Sequence, residues 1–89
     1  MNLRQRVTLA KIAHPKHLDM LVNDEHPRVR RYVAAHGNDS HRDKLLDDDN
    51  LLVRQTVAGY GNKDQATKLL KDMNKVVRET ATLRLGELK

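Results

Sequence analysis

At 89 residues, 38% of them apolar and 33% charged, the chain has material for a single domain over residues 1–89 with a modest core. It holds no cysteine, which excludes disulfides and thiolate metal sites, so packing must supply the stability. Seventeen Lys+Arg against twelve Asp+Glu leave a formal net charge of +5, which favours an acidic partner, while two tyrosines as the only Phe, Trp or Tyr exclude a base-stacking platform of several rings.

The opening MNLRQRVTLAK has no apolar stretch of signal-peptide length, and no run nears the roughly 20 apolar residues that cross a bilayer. A soluble cytoplasmic protein without membrane contact is expected. Residues 3–12 are predicted as a first helix, and Pro15, whose missing N–H costs nothing in a first turn, opens a short second one. Val29, Tyr32, Val33 and His36 stand at i, i+3, i+4 and i+7, one face of a third helix. Gly37 is expected to end it in the left-handed conformation, and Asn38-Asp39-Ser40 to cap a short fourth helix that carries Leu45-Leu46 and stops at Asp47-Asp48-Asp49. Val53, Thr56, Val57 and Tyr60 repeat the face, Gly61 and Asn62-Lys63-Asp64 repeat the break, and Leu69-Leu70 repeats the short helix. A last helix runs from about Val76 to Leu88. No strand-like alternation appears, so the class is all-α.

These elements are copies of one 24-residue unit. Residues 26–49 and 50–73 agree at 10 of 24 positions, and residues 2–25 agree with 26–49 at seven, giving about three and a half repeats. Val29, Val53 and Val77 share a column, Arg30, Arg54 and Arg78 the next, then Val33, Val57 and Ala81. Val29, Val33, Leu45, Leu46, Val53, Val57, Leu69, Leu70 and Val77 are expected to be the most buried.

The D-x5-R frame (Asp24/Arg30, Asp48/Arg54, Asp72/Arg78), the V-R-x-x-V/A core, the helix-ending glycine and the Leu-Leu pair resemble the short bacterial HEAT-like repeats and the 24-residue leucine-rich-variant repeats, both α-solenoids. The period fits the variant, whereas Asp39 and Lys63 stand where it usually has proline. Either way the resemblance implies a short right-handed α-solenoid over nearly the whole chain.

The arginine column, joined by Arg6, has two readings. Equivalent helices pack roughly 8–10 Å apart, so an exposed row would be a cationic ladder for phosphates. Alternatively Asp24, Asp48 and Asp72, each six residues ahead of an arginine, pair with Arg30, Arg54 and Arg78 of the same or the next unit, as HEAT-like families do to lock neighbours. The planar guanidinium suits such a bidentate carboxylate, and the structural ladder is the preferred reading. Arg28, Arg31, Arg42, Lys44, Lys63 and Lys68 are then the candidates for partner contact, Lys44, Lys63 and Lys68 lining one side.

Five histidines lack the spacing and companion ligands of a zinc site, so no metal and no cofactor is expected. His36, in the column of Ile12 and Tyr60, reads as a partly packed ring with a wet edge. Ser40-His41 has no orienting carboxylate, and the Asp47-Asp48-Asp49 run reads as a helix-ending turn. HEAT-like DNA glycosylases depend on tryptophan and an acidic residue in a long concave cleft. This chain has neither tryptophan nor the repeats for that cleft, and no enzymatic activity is expected. The reading is a binding or adaptor module, with a protein as first partner and a nucleic-acid backbone as the alternative. Leu3, Leu9 and Ile12 at one end and Leu83, Leu85 and Leu88 at the other make a homodimer through the ends a further expectation.

Overall fold

Five asparagines and two histidines set where the helices begin. In the computed structural model, which describes residues 1–89, the helices are α1 (Leu3–Ile12), α2 (Pro15–Leu21), α3 (Pro27–His36), α4 (Asp39–Leu45), α5 (Leu51–Tyr60), α6 (Lys63–Leu69) and α7 (Lys75–Glu87), with no strand. Their N-caps are Asn2, His14, His26, Asn38, Asn50, Asn62 and Asn74, and each side chain accepts a hydrogen bond from a backbone N–H of the first turn. Pro15 and Pro27 fill first-turn positions, where a missing N–H is harmless. No helix is long and apolar enough to cross a membrane.

The odd-numbered helices pack in series, α1 on α3, α3 on α5 and α5 on α7, and each even-numbered helix packs against the odd one before it and the odd one after it. Valine and alanine columns make this possible. Val29, Val33, Val53, Val57 and Val77 are fully buried, and so are Ala10, Ala34, Ala58, Ala66 and Ala81, which let backbones approach closely. The expected leucine columns divide. Leu45 and Leu69, the last residues of α4 and α6, are buried, whereas Leu46 lies at the margin of the core and Leu70 is 37% exposed. One residue further along a helix turns the side chain about 100°, enough to carry it off the core side.

Gly37 and Gly61 end α3 and α5, though not by the left-handed route. Their backbones are extended, at φ −81° and ψ −171° and at φ −71° and ψ 164°. Close approach excludes a side chain. A Cβ on Gly37 would lie 2.6 Å from the Val33 carbonyl oxygen and 2.7 Å from His41 Nδ1, and one on Gly61 would lie 2.6 Å from the Val57 oxygen and 3.0 Å from Gln65 Oε1. The first unit, with alanine at this place, takes the other path: Ala13 sits at φ 63° and ψ 28°, the only positive φ in the chain.

Opposite responses to substitution follow at these equivalent positions. Ala13→Gly relieves a left-handed alanine and is expected to stabilise by about 0.5–1 kcal/mol, while Gly37→Ala drives a methyl into backbone and is expected to cost about 1–3 kcal/mol. Urea unfolding of both variants checks this, and a lower midpoint for Ala13→Gly contradicts it.

Candidate functional site

With each unit counted from the aspartate ahead of an odd helix, Asp24, Asp48 or Asp72, arginine and aspartate meet across every unit boundary. Arg6 Nε donates to Asp24 at 2.8 Å, Arg30 Nε to Asp48 at 2.7 Å and Arg54 Nε to Asp72 at 2.8 Å, with the Nη2 atoms adding second bonds at 3.5, 3.1 and 3.3 Å. The carboxylate is always that of the following unit. The aspartate of the arginine's own unit supplies its backbone carbonyl instead: Arg30 to Asp24, Arg54 to Asp48 and Arg78 to Asp72, each from Nη1 at 2.8 Å. Arg78 alone in the column has no carboxylate on its Nε and Nη2. The other three forks are occupied by the fold and present no free guanidinium to a phosphate.

These contacts shift the ionisation of their members. The hydrogen bond with Asp48 does most to push the Arg30 guanidinium above its ordinary value, against the opposing pull of burial. Burial by itself pushes the Asp72 carboxyl up. The hydrogen bonds from Arg54 and the Asn74 backbone, with the charges of Arg54 and Arg78, outweigh it and hold the group below its ordinary value.

A second set of polar contacts crosses the boundaries between the even helices. His41 Nε2 meets Asp19 Oδ1 at 2.6 Å, and Gln65 Nε2 donates to Asp43 Oδ1 at 2.8 Å and to the Asp39 carbonyl at 2.9 Å. The other end of each side chain caps its own helix, His41 Nδ1 accepting from Asn38 N–H at 3.0 Å and Gln65 Oε1 from Asn62 N–H at 2.9 Å. Accepting at Nδ1 fixes the proton on Nε2, the atom that faces Asp19. Both ring nitrogens are engaged, and neither is left to activate Ser40. His41 and Gln65 share a column 24 residues apart, but the change from His to Gln hides their common role in the sequence.

The candidate contact residues separate. Arg42 is only 12% exposed along its side chain, and its Nη1 donates to the Ala34 and Gly37 carbonyls at 3.1 and 2.8 Å, so it serves the fold rather than a partner. Lys68 pairs with Asp64 at 3.3 Å on the surface of α6, and Lys44 and Lys63 are exposed on α4 and α6. Arg28 and Arg31 lie elsewhere, on the outer face of α3. There a groove is lined by Arg28, Arg31, Tyr32, His36, Thr56 and Tyr60, and Arg28 also borders a second hollow with Arg4, Thr8 and Lys11. His36 stacks on Tyr32 with ring centroids 6.1 Å apart and is exposed to the groove, a partly packed ring with a wet edge. Lys11 Nζ stands 4.9 Å above the Tyr32 ring.

Arg4, Lys11, Arg28 and Arg31 form no ion pair, and no acidic side chain lines either hollow. Further along the same face the columns become apolar. Leu52 and Val76 replace Arg4 and Arg28, Leu83 stands in the column of Lys11, and all three are exposed, as is Tyr60. At the two ends, Ile12, Leu83 and Leu88 are exposed, while Leu3 and Leu9 pack against the core. The structure gathers no three His, Asp or Glu side chains that could hold a metal ion. Comparison with family models, curated proteins and solved structures finds no match to this chain.

Two outcomes are expected of the boundary contacts. Asp72 has a folded-state value below its unfolded one of about 3.9, so the stability it contributes is complete above that unfolded value and is lost as pH falls through the folded one. Urea midpoints are expected to drop below about pH 4, and Asp72→Asn to cost about 1–3 kcal/mol at pH 7 while flattening that acid limb. An unchanged limb in the variant rejects the role. For the second set, His41→Gln restores the Gln65 arrangement and is expected to cost under about 1 kcal/mol, whereas His41→Ala loses cap and cross-unit bond together and costs about 1–3 kcal/mol. Equal thermal unfolding of the two variants would rule out the shared role.

Proposed function

We propose that this chain is a non-enzymatic helical-repeat adaptor, a short right-handed α-solenoid of the HEAT-like or leucine-rich-variant kind, that binds an acidic amphipathic segment of another protein. The exact 24-residue spacing of helix starts at Leu3, Pro27, Leu51 and Lys75, with odd helices packed in series, supports the repeat architecture. One observation carries the functional reading: a single face is divided between four unpaired cations on α1 and α3 and four exposed apolar side chains on α5 and α7.

A phosphodiester backbone uses only half of that face. It pairs with Arg4, Lys11, Arg28 and Arg31 and leaves Leu52, Val76 and Leu83 in water, where covering what remains exposed of each contributes about 1 kcal/mol. A helix with acidic residues toward one end and an apolar stripe toward the other uses both halves. The ridged surface of packed helices needs no moving part to accept it.

The test is affinity capture from nuclease-treated cell lysate with the immobilised chain and paired variants. The captured protein is expected to be lost with Arg28→Glu/Arg31→Glu and equally with Leu52→Ser/Val76→Ser, and kept with Lys44→Ala/Lys68→Ala. Binding of duplex DNA that steepens as salt is lowered, that Arg28→Glu/Arg31→Glu abolishes and that Leu52→Ser/Val76→Ser leaves unchanged would replace this reading with the nucleic-acid one.

A further inference from the structure

We infer that Arg78 is a preformed carboxylate-binding fork, and that its ligand is the aspartate opening a helix in another polypeptide. Arg78 borders neither hollow of the outer face. Arg30, Arg54 and Arg78 are all held by the same bond, Nη1 to the carbonyl of the aspartate six residues earlier, at 2.8 Å in every case. That bond places Nε and Nη2 of Arg30 and Arg54 on an aspartate carboxylate; on Arg78 the same two atoms have no carboxylate partner. The fork is built and oriented, and its chemistry is known from its two copies in the same molecule.

Those copies also define the ligand's local shape. Asp48 and Asp72 each accept from the backbone N–H two residues on, Asn50 at 2.9 Å and Asn74 at 2.8 Å, and each of those asparagines is the N-cap of the helix that follows. The ligand is therefore an Asp-x-Asn turn leading into a helix, with the aspartate bridging its own helix start and the foreign guanidinium.

A second position sets specificity. Gln55 Nε2 reaches Thr80 Oγ1 at 3.4 Å, and a Cβ on Gly59 would lie 3.6 Å from the Thr80 methyl, so Thr80 of α7 faces the column positions of Gln55 and Gly59. On α7 those columns hold Glu79, which Lys75 approaches at 3.8 Å in a solvent-exposed pair that a docked cation would have to displace or share, and Leu83, both exposed. A helix docked there as α7 docks on α5 meets a carboxylate beside an apolar side chain. Lys or Arg satisfies both, its methylene stem over Leu83 and its charge on Glu79. Asp72 and Thr80 are eight residues apart, so the ligand carries Lys or Arg eight residues after its aspartate. The chain's own units have Tyr32, Thr56 and Thr80 at that place, which disfavours a second copy as occupant. Between the two positions, Thr82 stands exposed in the column of the fully buried Ala10, Ala34 and Ala58, and is small enough for a helix to close on.

The probe is a synthetic peptide of residues 71–89 carrying Thr80→Lys, titrated into the intact protein labelled at its arginine Nε atoms and followed by NMR. The Arg78 Nε–H signal is expected to shift and saturate below about 1 mM, with those of Arg6, Arg30 and Arg54 unmoved. An Asp72→Asn peptide, or an Arg78→Lys protein checked for an unchanged melt, is expected to bind at least about tenfold more weakly, and a peptide retaining Thr80 about threefold more weakly. No saturable Arg78 shift, or equal binding of the Asp72→Asn peptide, overturns the fork. Equal binding of the Thr80 peptide overturns the lysine requirement. A concentration-dependent dimer by light scattering that Arg78→Lys abolishes makes a second copy the occupant and overturns the assignment to another polypeptide.

Discussion

The aspartate that begins each odd helix after the first is the part on which the remaining structure depends. Its carboxylate accepts from the backbone N–H two residues on, which shapes the turn into the helix, and from the arginine of the preceding unit. Its carbonyl accepts from the arginine of its own unit. Local turn, contact within the unit and register between units thus share one residue. Because the aspartate and arginine side chains are largely buried, losing either member leaves a charge without water or partner, so the contact fixes geometry more than it adds net stability. Boundaries built this way form together, since an unplaced arginine frees both the turn behind it and the one ahead.

His41 and Gln65 do for the even helices what the aspartates do for the odd ones. Each is almost wholly buried, caps its own helix and reaches into the preceding unit, so no polar atom of either needs water. Imidazole and carboxamide are interchangeable here because each offers one acceptor and one donor at a similar reach. The same side chains crowd Gly37 and Gly61. The glycine at the end of α3 or α5 and the polar residue at the third position of the next helix are thus one feature, a tight corner in which the capping group occupies the space of a Cβ.

Helix positions were legible in the sequence because periodicity is a strong signal: residues 3–12 and Pro15 start and stop where read, and α7 begins one residue from its expected place. The direction of pairing was not. The D-x5-R frame pairs each aspartate with the arginine of its own or the next unit, whereas the backbone turns each carboxylate to the arginine of the preceding unit, so that Asp24 gives Arg30 its carbonyl and Asp48 its carboxylate. Leu45 and Leu46 look alike in a column of letters and differ by the rotation of one helical residue. Arg42 looked exposed by charge, yet two carbonyls at the end of α3 draw it in. The lack of an acidic neighbour around Arg4 and Lys11 is a property of the surface and not of the letters.

The repeat itself sorts the charges. Positions that keep their residue through successive units, the aspartate and arginine columns above all, are consumed by contacts within and between units. Positions that change from one unit to the next behave differently: Arg4, Arg28, Leu52 and Val76, in one column, form no ion pair and are exposed on the odd helices, while in another Lys11 lies over the Tyr32 ring, Gly59 stands beside Thr80 and Leu83 is exposed. A stack of identical units would present a uniform stripe and could discriminate partners only by length. The variation on this outward face gives the stripe two chemically distinct halves. The repeated aspartate and arginine columns hold the units together, and a varied column does so only where, as with His41 and Gln65, the exchanged side chains offer the same donor and acceptor.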